Sequence, residues 1–246
     1  MDRIAIISDI HGNLPALRAT LGDIAARGIT RIFCLGDLVG KGPHSDQAVD
    51  ICRAACEATV RGNWDDFILN ETDKPTLQWH RQRLGPARLD YLGTLPNVLE
   101  FAMSGKRIRL FHASQESVYH RVQMDDSRDI HMAMFTNTPF TGDGPAPDVV
   151  GYGDIHSAYA KSFRNRTLFN AGSVGNPLDI TQASYAILEG TYGSSAASPF
   201  GLQLIRVPYD IERAISDAAA LGMPELAAYA NELRTARYRG RKVDVE

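Results

Sequence analysis

A chain of 246 residues, 44% of them hydrophobic, has ample material for one large core. Its formal net charge of -3 supplies no basic excess to draw nucleic acid or an anionic membrane. Three cysteines do not make an all-disulfide framework, no run reaches the 18 or more apolar residues of a membrane span, and no leader with a cleavage signature opens the chain, so a cytoplasmic protein with reduced thiols is expected.

The first element is the run Ile4-Ala5-Ile6-Ile7, four apolar residues in a row, which reads as a strand buried on both faces. It ends in Ser8-Asp9-Ile10-His11-Gly12-Asn13, and Leu14, Leu17, Leu21, Ile24 and Ala25 then fall at helical spacing up to Gly28. Asn13 is a candidate cap and Pro15 suits the first turn. Asp9 and His11 therefore sit where a strand hands over to a helix, the end at which open α/β sheets place their ligands. A carboxylate oxygen and an imidazole nitrogen can share one divalent ion.

The pattern repeats. Ile32-Phe33-Cys34-Leu35 is a second strand, ending in the glycine-rich Gly36-Asp37-Leu38-Val39-Gly40-Lys41-Gly42. A helix follows over Ser45 to Ala55, and a short third strand at Thr59-Val60 runs into Arg61-Gly62-Asn63-Trp64-Asp65. Residues 66–95 read as helical, most strongly from Thr76 to Leu92. Strands at 98–101 and 108–111 flank the turn Ser104-Gly105-Lys106, and the second ends at His112. Segment 113–147 is the least regular, with a helix expected over 125–135. Val149-Val150 restarts a sheet and leads into Gly153-Asp154-Ile155-His156; strands near 159–163, 167–169, 184–188 and 201–207 follow. Two helices, 210–220 and 225–236, precede a polar, basic tail, 238–246, expected to be loosely held. The first half alternates strand and helix and the second is mostly strand, which predicts two sheets with helices outside.

Asp9, His11, Asp37, Asn63, His112, Asp154 and His156 all fall at strand ends, four of them beside a glycine. All are oxygen or nitrogen donors. One ion needs four to six ligands, so a set of this size points to two divalent ions, an arrangement suited to in-line displacement at phosphorus.

The ordered motifs Asp9-Ile10-His11, Gly36-Asp37, Gly62-Asn63-Trp64-Asp65, His112, Gly153-Asp154-Ile155-His156 and Asn170-Ala171-Gly172-Ser173-Val174-Gly175 resemble those of the calcineurin-like metallophosphoesterases, in particular the bacterial phosphodiesterase branch. The resemblance spans residues 4 to about 188. It implies one metallophosphoesterase domain over 1–246, with the family's four-layer α/β/β/α sandwich of two mixed sheets flanked by helices. It implies one ion on Asp9, His11, Asp37 and His156 and a second on Asp37, Asn63, His112 and residue 154, with Asp37 bridging. Mn²⁺ is the first expectation, with Fe, Zn²⁺, Ni²⁺ or Mg²⁺ open. The implied reaction is hydrolysis of a small-molecule phosphodiester by a hydroxide bridging the two ions. Phosphomonoesters, phosphoproteins and dinucleoside polyphosphates are alternative substrates, and a non-catalytic protein-interaction scaffold with a residual metal site is the alternative of another class. Oligomeric state stays open.

Two departures from the family pattern stand out. Residue 154 is Asp where the family has His, which adds a negative charge at the second ion. Residue 64 is Trp where the family's phosphomonoesterases carry a His that protonates the leaving group, and an indole cannot do that. Asp37, Asn63, His112, Asp65 and Arg61 are expected to act in catalysis. Arg61 either orients Asp65 or touches phosphate, with a structural ion pair as the other reading. Lys41, Asn63 and Trp64 are candidate substrate contacts; His44 lies in the loop after Asp37, and His80 reads as a surface or packing residue.

Overall fold

The computed structural model describes residues 1–240. Its elements in order are β1 (Asp2–Ile7), α1 (Leu14–Ala26), β2 (Arg31–Cys34), α2 (Ser45–Ala55), β3 (Ala58–Thr59), α3 (Asn63–Phe67), α4 (Pro75–Thr94), β4 (Val98–Met103), β5 (Lys106–Phe111), α5 (Arg128–Ala133), β6 (Val149–Tyr152), β7 (Tyr159–Phe163), β8 (Arg166–Asn170), β9 (Ala183–Gly190), β10 (Gly201–Val207), α6 (Ile211–Ala220) and α7 (Leu226–Thr235). They build two mixed five-stranded sheets, ordered β10-β9-β1-β2-β3 and β4-β5-β6-β8-β7. In the first, β1, β2 and β3 run parallel, β9 lies antiparallel to β1, and β10 antiparallel to β9. In the second, β5, β6 and β8 run parallel, with β4 and β7 antiparallel at the edges.

Alternation along β1 explains the layers. Ile4 and Ile6 point to one face, where they meet Phe33, Leu35, Leu188, and Met103, Ile108, Leu110 and Phe169 of the other sheet. Ala5 and Ile7 point to the other, against Leu17 and Ile24 of α1 and Ala48, Val49 and Cys52 of α2. A strand covered on both sides has no polar face to present, hence the unbroken apolar run. The outer face of the second sheet is covered by Val122, Met134 and Phe135 packed on Phe111, Val150, Tyr152 and Leu168. The result is the expected four-layer α/β/β/α sandwich.

Two expectations about the helices and one about the tail need correcting. The helical stretch expected over residues 66–95 is two helices, α3 and α4, with residues 68–74 between them outside both. Pro75 is the reason: it suits the first turn of α4, and it pushes Lys74, at φ -71 and ψ 117, out of the helical region. α4 itself is bent at Gly85-Pro86, where Gly85 takes φ 69 and Pro86 has no N–H to continue the ladder. The helix expected over 125–135 is shorter, since Ser127 caps α5 and accepts from Ile130 N. The start of the tail is also held: Arg239 donates through Nε and Nη2 to the buried carboxylate of Glu232 at 2.9 Å each. Residues 241–246, the rest of that expected tail, lie outside the described residues.

Candidate metal centre

The C-terminal ends of the parallel strands of both sheets converge, and their loops are stitched together. Asp9 N and His11 N donate to the carbonyls of Gly36 and Asp37, Gly153 N to that of His112, and Val174 N and Gly175 N to those of Ser8 and Asp9. Such close loops leave no room for side chains: a Cβ on Gly62 would collide with the Asp37 carboxylate, and one on Gly153 with Ser8 and Asp9. Asp9, His11, Asp37, Asp154 and His156 take the left-handed backbone region, at φ 55, 48, 53, 63 and 59.

Two groups of side chains could each hold a metal ion: Asp9, His11 and His156, and Asp9, Asp37 and His112, with the ligand atoms of each group within 4.8 Å of one another. All five residues are buried. Three histidines are fixed in the same sense. Nδ1 of His11 meets the Val39 carbonyl at 2.9 Å, Nδ1 of His112 that of Leu35 at 2.8 Å, and Nδ1 of His156 that of Asn176 at 2.5 Å. A carbonyl only accepts, so each ring carries a proton on Nδ1 and turns Nε2 inward, the atom left to meet a metal ion. His11 Nε2 and His156 Nε2 then face each other at 3.3 Å, two lone pairs that a cation between them would satisfy.

The carboxylates fit the same purpose. Asp9 Oδ2 accepts from Ser8 Oγ at 2.6 Å and from Asp154 N at 3.1 Å, while Asp9 Oδ1 is buried without a hydrogen-bond partner, 3.2 Å from His156 Nε2. An orphaned buried carboxylate oxygen costs free energy unless something positive meets it. Asp37 Oδ2 lies 3.5 Å from His11 Nε2 and Asp37 Oδ1 3.5 Å from His112 Nε2, so this carboxylate faces both groups. Asn63, the first residue of α3, brings Oδ1 within 3.2 Å of His112 Nε2. Asp154 Oδ1 is 3.9 Å from the same nitrogen, and its carboxylate also meets Arg121.

Crowding sets the electrostatics. Burial opposes a charge on His112, but the carboxylates of Asp37, Asp9 and Asp154 outweigh it and raise its pKa to about 9. Burial pushes the Asp37 carboxyl well above its ordinary value, against the pull of His112. At Asp9 burial acts upward too, yet His156, His112 and His11 hold the carboxyl below its usual range. A bound cation would relieve these opposed tendencies together.

Other expected residues fall in several places. Asp65 is buried beneath the centre and accepts from the amides of Asp37 at 2.7 Å, Leu38 at 2.9 Å and Gly62 at 3.0 Å, so it shapes two of the ligand loops. Arg61 pairs with Asp66 at 3.1 Å and donates to the Gly93 carbonyl at 2.7 Å, neither of which is a candidate ligand. Lys41, Asn63 and Trp64 line a cavity of about 950 Å³ beside Asp37, Asp154 and His156. Trp64 meets the His11 ring edge-on at 5.9 Å between centroids. His80 also lines the cavity, whereas His44 lies in a separate groove with Arg213 and Asp217.

Sequence reading missed Arg121, Asn231 and residues 236–239, which line the same cavity. Lys41 Nζ donates to Asn176 Oδ1 at 2.8 Å, and Asn176 Nδ2 to Glu232 Oε2 at 3.2 Å, which ties the cavity floor to α7. No spacing signal could have found these contacts, because they join loops more than 50 residues apart.

His80 carries a pH prediction. Burial, with Arg83 adding to it, lowers its pKa from 6.5 to about 4. The folded chain thus refuses a proton that the unfolded chain accepts near 6.5, so this contribution to stability is whole above that pH and is lost as pH falls toward 4. The loss should approach about 3 kcal/mol. Urea midpoints of wild type and His80→Gln between pH 7.5 and 4 check it; equal acid slopes for the two would refute it.

Comparison with known proteins agrees with this geometry. The family model for the calcineurin-like phosphoesterase superfamily domain matches residues 2–192. Protein MJ0912 of Methanocaldococcus jannaschii is 31% identical over 239 residues, covering 90% of this chain and 94% of that one. A metallophosphoesterase from Sphaerobacter thermophilus superposes with a TM-score of 0.75 at 25% identity, covering 96% of this chain and 99% of the other. Protein PH1004 from Pyrococcus horikoshii OT3 shares the fold at a TM-score of 0.76 and 18% identity, covering 98% of this chain and 100% of the other.

Proposed function

The chain belongs to the calcineurin-like phosphoesterase superfamily, and on that premise we propose that it hydrolyses small-molecule phosphodiesters at a centre holding two divalent ions, Mn²⁺ first among them. The observation that carries this is the pair of ligand groups that share Asp9, with the Asp37 carboxylate facing histidines of both, three Nε2 atoms turned inward and Asp9 Oδ1 unpartnered. Asp9, His11, Asp37 and His156 would hold one ion, and Asp37, Asn63, His112 and Asp154 the other. Bound ions would supply positive charge to the phosphoryl oxygens and acidify a water for attack.

The chain's own residues do the rest. Ser8 and the Asp154 amide hold the Asp9 carboxylate so that Oδ1 points inward. Asp65 ties down the loop that presents Asp37, and Trp64 N donates to Asp37 Oδ1 at 2.8 Å. Lys41 and Asn63 face the cavity from which an anionic substrate would arrive. Diesters are favoured over monoesters because residue 64 is Trp where the family's phosphomonoesterases carry the His that protonates the leaving group.

In this reading the chain works as one domain. Among the described residues no helix is long and apolar enough to cross a membrane. Cys34, Cys52 and Cys56 are all unpaired, which fits a cytoplasmic location.

The test is elemental analysis of protein stripped and reloaded with Mn²⁺, alongside a panel of phosphomono- and phosphodiesters. Two ions per chain and faster turnover of diesters are expected. Protein that retains no metal under any loading would overturn the reading, and faster turnover of monoesters would overturn the diester preference.

A further inference from the structure

Asp154 adds a carboxylate to a centre that already buries Asp9 and Asp37. A further buried negative charge is costly unless it is paired. Arg121, from the irregular segment between β5 and α5, supplies the pair: its Nε donates to Asp154 Oδ2 and its Nη2 to Asp154 Oδ1, both at 2.9 Å. This is the planar fork that a guanidinium makes and an ammonium cannot. The two ends of the pair differ in setting. The Asp154 side chain is 3% exposed and that of Arg121 47%. Asp154 Oδ1 looks toward His112 Nε2, while Arg121 lines the cavity together with Lys41, Asn63 and Trp64. The fork to Asp154 uses Nε and Nη2, and among the described residues Nη1 makes no hydrogen bond.

We propose that Arg121 binds the phosphoryl group of the substrate, and that Asp154 positions it. The pair as a whole is neutral, like an uncharged imidazole at the same place, so the centre keeps its charge balance while gaining a guanidinium that faces the cavity. The remaining N–H groups suit two oxygens of a tetrahedral phosphate. The inference rests on the phosphoesterase reading above, and it gives a different role to each partner.

The roles predict effects of opposite sign. Arg121→Ala removes a phosphate donor and at the same time leaves Asp154 uncompensated beside the centre. Affinity for inorganic phosphate should fall by about 10- to 100-fold, the scale of a charge-assisted pair. Affinity for Mn²⁺ should rise severalfold, because the carboxylate no longer shares its charge with a guanidinium. Arg121→Lys should return Mn²⁺ affinity toward wild type and leave phosphate binding impaired, since a point charge replaces the fork. A purely structural role for Arg121 would weaken both.

The experiment is calorimetric titration of wild type, Arg121→Ala and Arg121→Lys with Mn²⁺, then with inorganic phosphate on both metal-free and Mn²⁺-loaded protein, with thermal melts to establish that each is folded. Weaker phosphate binding with tighter Mn²⁺ binding in Arg121→Ala supports the proposal. Phosphate affinity within a factor of about two of wild type, or losses of both ligands together, overturns it. Protein that binds no Mn²⁺ overturns the two-ion reading instead, and the metal-free phosphate titration still decides for or against Arg121.

Discussion

Asp37→Asn is expected to lose about 10³-fold or more in kcat/KM toward a p-nitrophenyl phosphodiester, more than Asn63→Ala or His156→Ala loses alone. The reason is geometric. One oxygen of Asp37 lies 3.5 Å from His11 Nε2 and the other 3.5 Å from His112 Nε2, so the carboxylate serves both ligand groups. Asparagine keeps the shape but removes the charge and offers only one good acceptor. Loss of several kcal/mol of transition-state stabilisation translates into about tenfold per 1.36 kcal/mol. Because Asp9, and not Asp37, is common to both candidate groups, Asp9→Asn is the informative companion. Steady-state kinetics and metals per chain should be measured on all four variants. Equal, small losses throughout would show that no single carboxylate joins the two ions.

The second large effect concerns leaving groups. Trp64 is wedged between the His11 ring and Phe67, whose centroid is 4.7 Å away, and a Cβ on Gly40 would run into its indole. It walls the centre and has no proton to give. The neighbouring histidines do not replace it. His80, with its pKa lowered to about 4, is neutral at pH 7, and His44 faces another groove. A p-nitrophenolate leaves without help, whereas an alkoxide needs a proton, and general-acid assistance is worth about 10²–10⁴-fold. Activated aryl diesters should therefore be cleaved readily and alkyl phosphomonoesters poorly, with a steep dependence of rate on leaving-group pKa. Trp64→His should flatten that dependence by helping the poorest leaving groups most. A series of substituted aryl and alkyl esters, assayed on both proteins with thermal melts alongside, measures it. A flat dependence in wild type would mean that another residue supplies the proton.

What could be read from sequence was what strand ends encode. Donor residues placed one after another at the ends of apolar runs, with glycines beside them, leave little freedom in where they go once the strands pair, and Asp9, His11, Asp37, Asn63, His112, Asp154 and His156 do come together. The boundary of α2, Ser45–Ala55, was legible for a related reason: local spacing decides it. Arg121 was not legible. It sits in a segment with no period, and its meaning comes from a partner 33 residues away. The same holds for Glu232, which looks like one more charge on an amphipathic helix until Arg239 and Asn176 close on it. Arg61 shows the converse, since proximity in sequence to Asn63 did not translate into proximity of its guanidinium to the candidate ligands.

The left-handed backbone at Asp9, His11, Asp37, Asp154 and His156 bears on how such a chain can change over time. Each of these residues sits in a conformation that costs an L-residue with a side chain roughly 1–2 kcal/mol, and that glycine or asparagine adopts more easily. Asp9 and Asp37 among them also bury carboxylates that a bound cation would offset. Replacing Asp9 or Asp37 with asparagine or glycine would thus relax strain and remove repulsion in one step. Robustness and activity are set against each other at these few positions and nowhere in the apolar layers. Selection for heat tolerance alone would erase the centre long before it altered the core.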